Sequence, residues 1–114
     1  MNPFNLCVER WFDVYTQVKG TKPTFSGVDG RHLKMILKKI DGKLVEYSIE
    51  VTAKSKTDSF ESLIRHAAKM KWIKDNYTLP IINSKFDIIF ADGRKPEISN
   101  TFLDKLARSV SKGK

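Results

Sequence analysis

Apolar side chains in this chain recur at intervals of three and four residues, which is the spacing of one face of an α-helix. In the first segment, Pro3 to Val18, the pattern runs through Phe4, Val8, Trp11, Phe12, Tyr15 and Val18. Asn2 is a suitable N-cap, Pro3 suits the first helical position, and Gly20 and Pro23 follow as stop signals. The segment is predicted to be an amphipathic helix, and its repetition downstream predicts a mainly α fold.

A second helix is predicted to end at Asp41 and Gly42, with an apolar face made of Leu33, Ile36, Leu37 and Ile40. Residues 43–56 fit two patterns. One is the alternation of a strand, at Val45, Tyr47, Ile49 and Val51. The other is a helical face, at Leu44, Val45, Ser48 and Val51. Helix or irregular structure is favoured, because an isolated strand would have no obvious partner; a short β-hairpin around residues 43–56 is the alternative.

Three more helices are predicted in the second half. Asp58 and Glu61 have the spacing of a reciprocal capping box, which starts the third helix. The fourth begins near Thr78, and the fifth begins at Ser99 or Asn100. The sequence therefore predicts a bundle of about five helices.

A chain of 114 residues is long enough for one hydrophobic core, so residues 1–114 are expected to form a single helical domain with a frayed basic tail at 111–114. The lone Cys7 excludes an internal disulfide and fits a reducing compartment. The sequence has no signal-peptide pattern and no apolar run of the length that a membrane span requires. We therefore expect a cytoplasmic protein that does not enter membranes.

The chain is strongly basic, with 21 Lys and Arg against 13 Asp and Glu, a formal charge of +8. This surplus favours a polyanionic partner through counterion release, with nucleic acid first among the candidates. Of the two nucleic acids, DNA is expected ahead of RNA. Solubility alone is the alternative explanation. The surplus is evenly distributed, with 10 basic and 6 acidic residues in 1–57 and 11 and 7 in 58–114, which argues against a disordered basic arm.

Two helical arrays of cations are candidate contacts for phosphate. Arg31, Lys34 and Lys38 are spaced i, i+3 and i+7, opposite the apolar face of the second helix. On the third helix Arg65 and Lys69 share a face, and Lys71 and Lys74 follow beside Trp72. Trp11 and Trp72 lie within or beside apolar faces, so both are expected in the core rather than at a base-stacking position.

Residues for catalysis are few. His32 and His66 have no carboxylate or second ligand at i+3 or i+4, and neither the GxxxxGK nor the GxGxxG phosphate-binding pattern occurs. The acidic residues of the last third match no ion-binding loop. We therefore expect no catalytic residue, no metal and no cofactor, and interpret the chain as a binding module rather than an enzyme.

The stretch from residue 58 to residue 91, with Phe60 at a helix start, Trp72 at its end and the run INSKF from Ile82 to Phe86, resembles a segment of phage and plasmid replication proteins of the DnaD-like, replisome-organiser type. The stretch WFDVYTQVKGTKPTFSGVDGRHLKMIL also resembles short proteins of phages and mobile elements. The first resemblance implies that Trp72 and Phe86 are structural and that Lys85 is an exposed contact to DNA or to a replication partner, often a helicase or its loader.

Two hypotheses follow from the sequence. The first is a nucleic-acid-binding accessory protein of phage or mobile-element DNA replication, with contacts at Arg31, Lys34, Lys38, Lys69 and Lys85. The second is a non-enzymatic adaptor or inhibitor that binds a host or phage replication protein through an exposed apolar patch. The aromatic residues of the first helix, which exceed what one small core is expected to bury, motivate the second hypothesis.

Overall fold

The structure, a computed structural model, describes residues 2–94 of the chain, and these form six α-helices with no strand among them. The helices are α1 (Pro3–Lys19), α2 (Gly27–Glu46), α3 (Ala53–Ala67), α4 (Lys71–Lys74), α5 (Leu79–Ser84) and α6 (Phe86–Arg94). The prediction of a mainly α fold is confirmed. The predicted helix that starts at Ser99 or Asn100 and the predicted frayed tail at 111–114 lie outside the described residues.

Helix α1 has the predicted bounds to within one residue. The side chain of Asn2 accepts a hydrogen bond from the backbone N–H of Asn5 at 2.9 Å. Gly20 ends the helix in the left-handed region, with φ 78°, and its N–H donates to the carbonyl of Thr16 at 2.8 Å. A glycine suits this C-terminal position because it has no Cβ to clash in that conformation.

Helix α2 is longer than predicted. Ser26 and Asp29 form a capping box before it, and the helix continues through Gly42 to Glu46. The apolar face explains the difference, because it extends one turn further to the buried Leu44, and this packing outweighs the weak helix propensity of an Asp-Gly pair. The hairpin alternative for 43–56 is wrong: α2 occupies the start of this range, an irregular loop follows, and α3 begins within it.

Helix α3 begins before the position that the sequence predicts. Thr52 and Ser55 form the capping box, with the Ser55 N–H donating to the Thr52 hydroxyl at 2.9 Å. Asp58 instead lies inside the helix and pairs with Lys54 at 2.6 Å. The predicted cap at Asp58 is therefore wrong, because an equally suitable cap lies six residues upstream.

The predicted fourth helix starts where expected, with the Thr78 hydroxyl accepting from the N–H of Ile81. It is interrupted at Lys85, which separates α5 from α6. Trp72 does not close α3 but lies in α4, a single turn of its own. The predicted third and fourth helices thus correspond to four helices in the structure, α3, α4, α5 and α6.

One apolar core joins the helices, and α1 and α3 run side by side through it in the same direction, as the contacts of Arg10 with Glu61 and of Gln17 with Arg65 indicate. Trp11, Tyr15 and Tyr77 form an aromatic cluster within or against this core. The aromatic residues of α1 are largely accommodated, since Trp11 is buried and Phe4, Phe12 and Tyr15 are partly buried against the core. The expectation that α1 has more aromatic residues than the core can bury, which motivated the adaptor hypothesis, is therefore not supported by the fold.

Candidate nucleic-acid interface

Three predicted contacts lie together on the outer face of α2. Arg31, Lys34 and Lys38 are all exposed, because the opposite face of the helix is buried in the core. We call these three residues the α2 cluster. The Lys34 ammonium lies 5.7 Å from the centroid of the Phe4 ring, where α1 and α2 meet. The structure confirms that Arg31, Lys34 and Lys38 share an exposed face.

The other cations near the C-terminal half of α2 have structural partners. Lys39 Nζ donates to the backbone carbonyl of Asn83 at 2.9 Å and lies 5.6 Å from the Phe86 ring centroid. Lys43 Nζ lies 5.0 Å from the Phe90 ring centroid and pairs with Glu46 at 3.7 Å. These two lysines fix α2 to α5 and α6, whereas the α2 cluster points away from that contact.

Carboxylates of the described residues neutralise cations outside the α2 cluster. Six other cations lie within 4.0 Å of an acidic side chain, namely Arg10, Lys43, Lys54, Lys56, Arg65 and Lys71. Within residues 2–94, Arg31, Lys34 and Lys38 have no such pair. The α2 cluster differs from the other unpaired cations of these residues in that its three members share one exposed helix face. The others are Lys19, Lys22, Lys39, Lys69, Lys74 and Lys85.

Lys69 lies apart from the α2 cluster. It is exposed at the end of α3 and lines an open cleft of about 700 Å³ between α3 and α6, together with Ser62, Arg65, His66 and Gly93. No side-chain hydrogen bond or ion pair among the described residues links it to α2. The structure therefore supports its predicted exposure and does not bring it together with Arg31, Lys34 and Lys38.

The same cleft contains a pair that the sequence did not predict. His66 Nε2 lies 2.6 Å from the carboxylate of Asp92, and the His66 side chain is largely shielded from solvent. The expectation that His66 lacks a carboxylate partner holds only for its own helix, because Asp92 comes from α6. Among the described residues no hydrogen bond connects His66 to Ser59 or Ser62 of this cleft.

A second arrangement joins Lys85 and Trp72. Trp72 is 46% exposed, whereas Trp11 is 2% exposed, so the expectation of a core position is confirmed for Trp11 and wrong for Trp72. The physical reason is that α4 is a single turn and its neighbouring residue Ile73 occupies the core instead. Lys85, predicted as an exposed contact, is partly buried, with its Nζ 5.7 Å from the centroid of the Trp72 ring.

More cations lie on or contact the turn that bears this indole. Lys71 and Lys74 lie on the same turn as Trp72, and Lys19 Nζ donates to the backbone carbonyl of Lys74 at 3.0 Å. We call Lys19, Lys71, Trp72, Lys74 and Lys85 the Trp72 surface. Phe86, the other residue that the resemblance makes structural, is buried.

Cys7 and Tyr77 are buried titratable groups that belong to neither the α2 cluster nor the Trp72 surface. Burial raises the pKa of the Cys7 thiol from its ordinary value of 9.0 to about 11, although a hydrogen bond with Thr57 opposes the rise. Burial also raises the pKa of the Tyr77 hydroxyl well above its usual range. A thiol with such a raised pKa is a poor nucleophile at neutral pH, so Cys7 is a core residue rather than a reactive one.

Comparison of the chain with protein-family models, with curated proteins and with solved structures finds no match. In residues 2–94 there is no group of three or more His, Cys, Asp or Glu side chains that could hold a metal ion. Over the same part of the chain, none of the helices has the length and apolar character needed to cross a membrane.

Proposed function

We propose that this chain is a non-enzymatic nucleic-acid-binding accessory protein of phage or mobile-element DNA replication, acting in the cytoplasm on DNA rather than RNA. The observation that carries the proposal is the α2 cluster. Arg31, Lys34 and Lys38 share one exposed helix face and have no ion pair within residues 2–94. Lys69 and Lys85 are proposed as further contacts.

The energetics of the α2 cluster favour an anionic ligand. Like charges three or four residues apart on a helix destabilise it by roughly 0.2 to 0.5 kcal/mol per pair. A phosphate backbone would reverse that repulsion and would release counterions on binding. Since Lys39 and Lys43 already fix α2 to its neighbours, packing of α2 does not require the outward cations.

The replication setting depends on the resemblance of residues 58–91 to DnaD-like segments, and a replicative helicase or its loader is the protein partner that this resemblance suggests. A helicase or primase gene beside the gene for this chain would support that setting. The nucleic-acid ligand, in contrast, is proposed from surface charge and does not depend on the resemblance.

Two double variants test the ligand. Arg31→Gln with Lys38→Gln removes two unpaired cations, whereas Lys54→Gln with Arg65→Gln removes two paired and exposed cations at the same change in net charge. Lys34 is kept, because its contact with Phe4 would confound the result. Binding of labelled single- and double-stranded DNA is measured by fluorescence anisotropy over a range of salt concentrations.

We expect the Arg31/Lys38 variant to bind DNA more weakly and with a smaller salt dependence. Each phosphate contact contributes about 0.9 to the slope of log affinity against log salt on duplex DNA, so the slope should fall by about 1.8. The Lys54/Arg65 variant should keep the slope of the parent chain. Absence of binding to both forms of DNA at low salt would overturn the proposal, and so would equal effects of the two variants.

A second candidate function is an adaptor or inhibitor that binds a host or phage replication protein. Although α1 accommodates its aromatic residues, the end of α2 and the loop before α3 expose four large apolar side chains in close succession: Val45, Tyr47, Ile49 and Val51. An apolar cleft of about 100 Å³, lined in part by Leu44, Leu63 and Phe86, adjoins them. Such a concentration of exposed apolar side chains favours a protein contact.

A complex with a replicative helicase provides the test of this second function. An adaptor should lose the complex on Ile49→Asp with Val51→Asp and keep it in the Arg31/Lys38 variant. Co-migration of the two proteins in gel filtration distinguishes these results. Retention of the complex by the Ile49/Val51 variant would exclude this loop as the contact.

A further inference from the structure

The exposed position of Trp72 is fixed by its neighbours. Ile73, the next residue, is fully buried, and the Asn76 side-chain amide donates to the Trp72 carbonyl at 3.2 Å. The hydroxyl of Tyr77, four residues after Ile73, donates to the carbonyl of Ile64 within the core at 2.6 Å. The backbone that bears the indole is thus anchored on its C-terminal side, so Trp72 is presented to solvent with little backbone entropy left to lose.

One ammonium group contacts the indole, and three more lysines lie on or against the turn that bears it. The Lys85 ammonium lies over the ring at 5.7 Å from its centroid. Lys74 ends the same turn, and its carbonyl accepts from Lys19 Nζ of α1. Lys71 pairs with Asp75 at 3.1 Å, but both side chains are more than half exposed, so this pair contributes little. An exposed aromatic ring on a segment rich in lysines is the combination found in grooves that bind single strands.

We infer that the Trp72 surface binds single-stranded nucleic acid, with an unpaired base stacked on the indole and the neighbouring phosphates on Lys85, Lys74 and Lys19. This inference rests on the proposed function and specifies the form of its ligand. Every base has a π-face that can stack on an aromatic ring, but a duplex buries those faces between neighbouring base pairs. An apolar protein partner fits less well, because it would have to desolvate the surrounding ammonium groups.

Intrinsic fluorescence can report on this site directly. The chain has two tryptophans, and Trp11 is buried whereas Trp72 is nearly half exposed. Addition of oligothymidylate should therefore quench the Trp72 emission and leave the Trp11 emission of a Trp72→Phe variant unchanged. Quenching that persists undiminished in Trp72→Phe would assign the signal to Trp11 and would contradict the inference.

Affinity measurements provide the decisive test. Stacking on an aromatic side chain contributes enough that Trp72→Ala should weaken binding of oligothymidylate by about 5- to 100-fold. Trp72→Phe should recover part of that loss, because a phenyl ring still stacks. Affinity for a DNA duplex of the same length should change less than twofold. Ile88→Ala, which removes another exposed apolar side chain, is the matched control and should leave both affinities unchanged.

The outcomes separate this inference from the proposed function. If Trp72→Ala leaves the affinity for oligothymidylate unchanged while the Arg31/Lys38 variant weakens it, the stacking site is wrong and the proposed function stands. If Trp72→Ala weakens single-strand and duplex binding equally, stacking of an unpaired base is also wrong. If the parent chain binds no DNA at low salt, both are wrong. Circular dichroism of Trp72→Ala should match the parent chain, since the side chain removed is outside the core.

Discussion

The hydroxyl of Tyr77 donates a hydrogen bond to the backbone carbonyl of Ile64 at 2.6 Å, and both residues are buried. This contact links the C-terminal half of α3 to the segment between α4 and α5. The Tyr77 ring also packs against Trp11, with the ring centroids 5.0 Å apart, so the same side chain reaches α1. The position of the Trp72 surface therefore depends on a contact in the core.

Tyr77→Phe removes this hydrogen bond and keeps the ring. We expect the free energy of unfolding to fall by about 1 kcal/mol, the usual net contribution of one buried hydrogen bond. The carbonyl of Ile64 still accepts from the N–H of Ala68 at 3.2 Å, so it does not become fully unsatisfied. Urea unfolding measures the change. Tyr15→Phe is the control, because the Tyr15 hydroxyl has no hydrogen bond with the described residues; equal losses in the two variants would contradict the assignment.

The start of α3 gives a second prediction. Thr52→Ala should lower the free energy of unfolding by about 1 kcal/mol, because the Thr52 hydroxyl caps the helix through the N–H of Ser55. Asp58→Ala should cost less than about 0.5 kcal/mol, since it removes only an exposed pair with Lys54. Thermal unfolding of the two variants compares them directly. A larger loss of stability for Asp58→Ala than for Thr52→Ala would indicate that Asp58 caps the helix, as the sequence predicts.

These caps show which parts of the fold the sequence could predict. Asn2, Gly20 and Thr78 act within a few residues of their own helix ends, and the sequence identified all three. At α3 two capping patterns compete, and local spacing alone could not decide between Thr52 and Asp58. The end of α2 depended on the burial of Leu44, which is set by tertiary packing and not by the local Asp-Gly signal.

The candidate site divides in the same way. The common face of Arg31, Lys34 and Lys38 follows from helical periodicity, so the sequence predicted it. The contacts of Lys85 with Trp72 and of His66 with Asp92 join residues that are far apart in the chain. Periodicity carries no information about such pairs. The exposure of Trp72 was missed because the sequence predicts one helix that continues to Trp72, with the indole on its buried side. In the structure α3 ends before Trp72, which lies on the separate turn α4.

The pair formed by His66 and Asp92 should contribute to stability by linking α3 to α6. A double-mutant cycle with His66→Ala, Asp92→Ala and the double variant isolates the contribution of the pair from other contacts of Asp92. We expect a coupling free energy of about 0.5 to 2 kcal/mol, because the contact is short and the imidazole is mostly shielded. Unfolding energies that add to within about 0.3 kcal/mol would show that the contact contributes nothing to the fold.

Alkaline pH should destabilise the chain through Cys7. Burial raises the pKa of this thiol from 9.0 in its ordinary state to about 11 in the folded chain, so the folded state retains the proton to a higher pH than the unfolded state. The stability contributed by the neutral thiol is complete below pH 9 and is lost as the pH rises through 11. Burial shifts the pKa of Tyr77 in the same direction, so both groups act together.

Cys7→Ala separates the effect of the thiol from the general loss of charge on lysines at high pH. The variant should be less stable than the parent chain at pH 7, because it leaves a small cavity in the core. Between pH 9 and 11 its free energy of unfolding should decline less steeply, with a difference of up to about 3 kcal/mol over the full range. Urea unfolding midpoints at several pH values measure both slopes. Parallel slopes for variant and parent chain would mean that the thiol ionises as readily in the folded state as in the unfolded state.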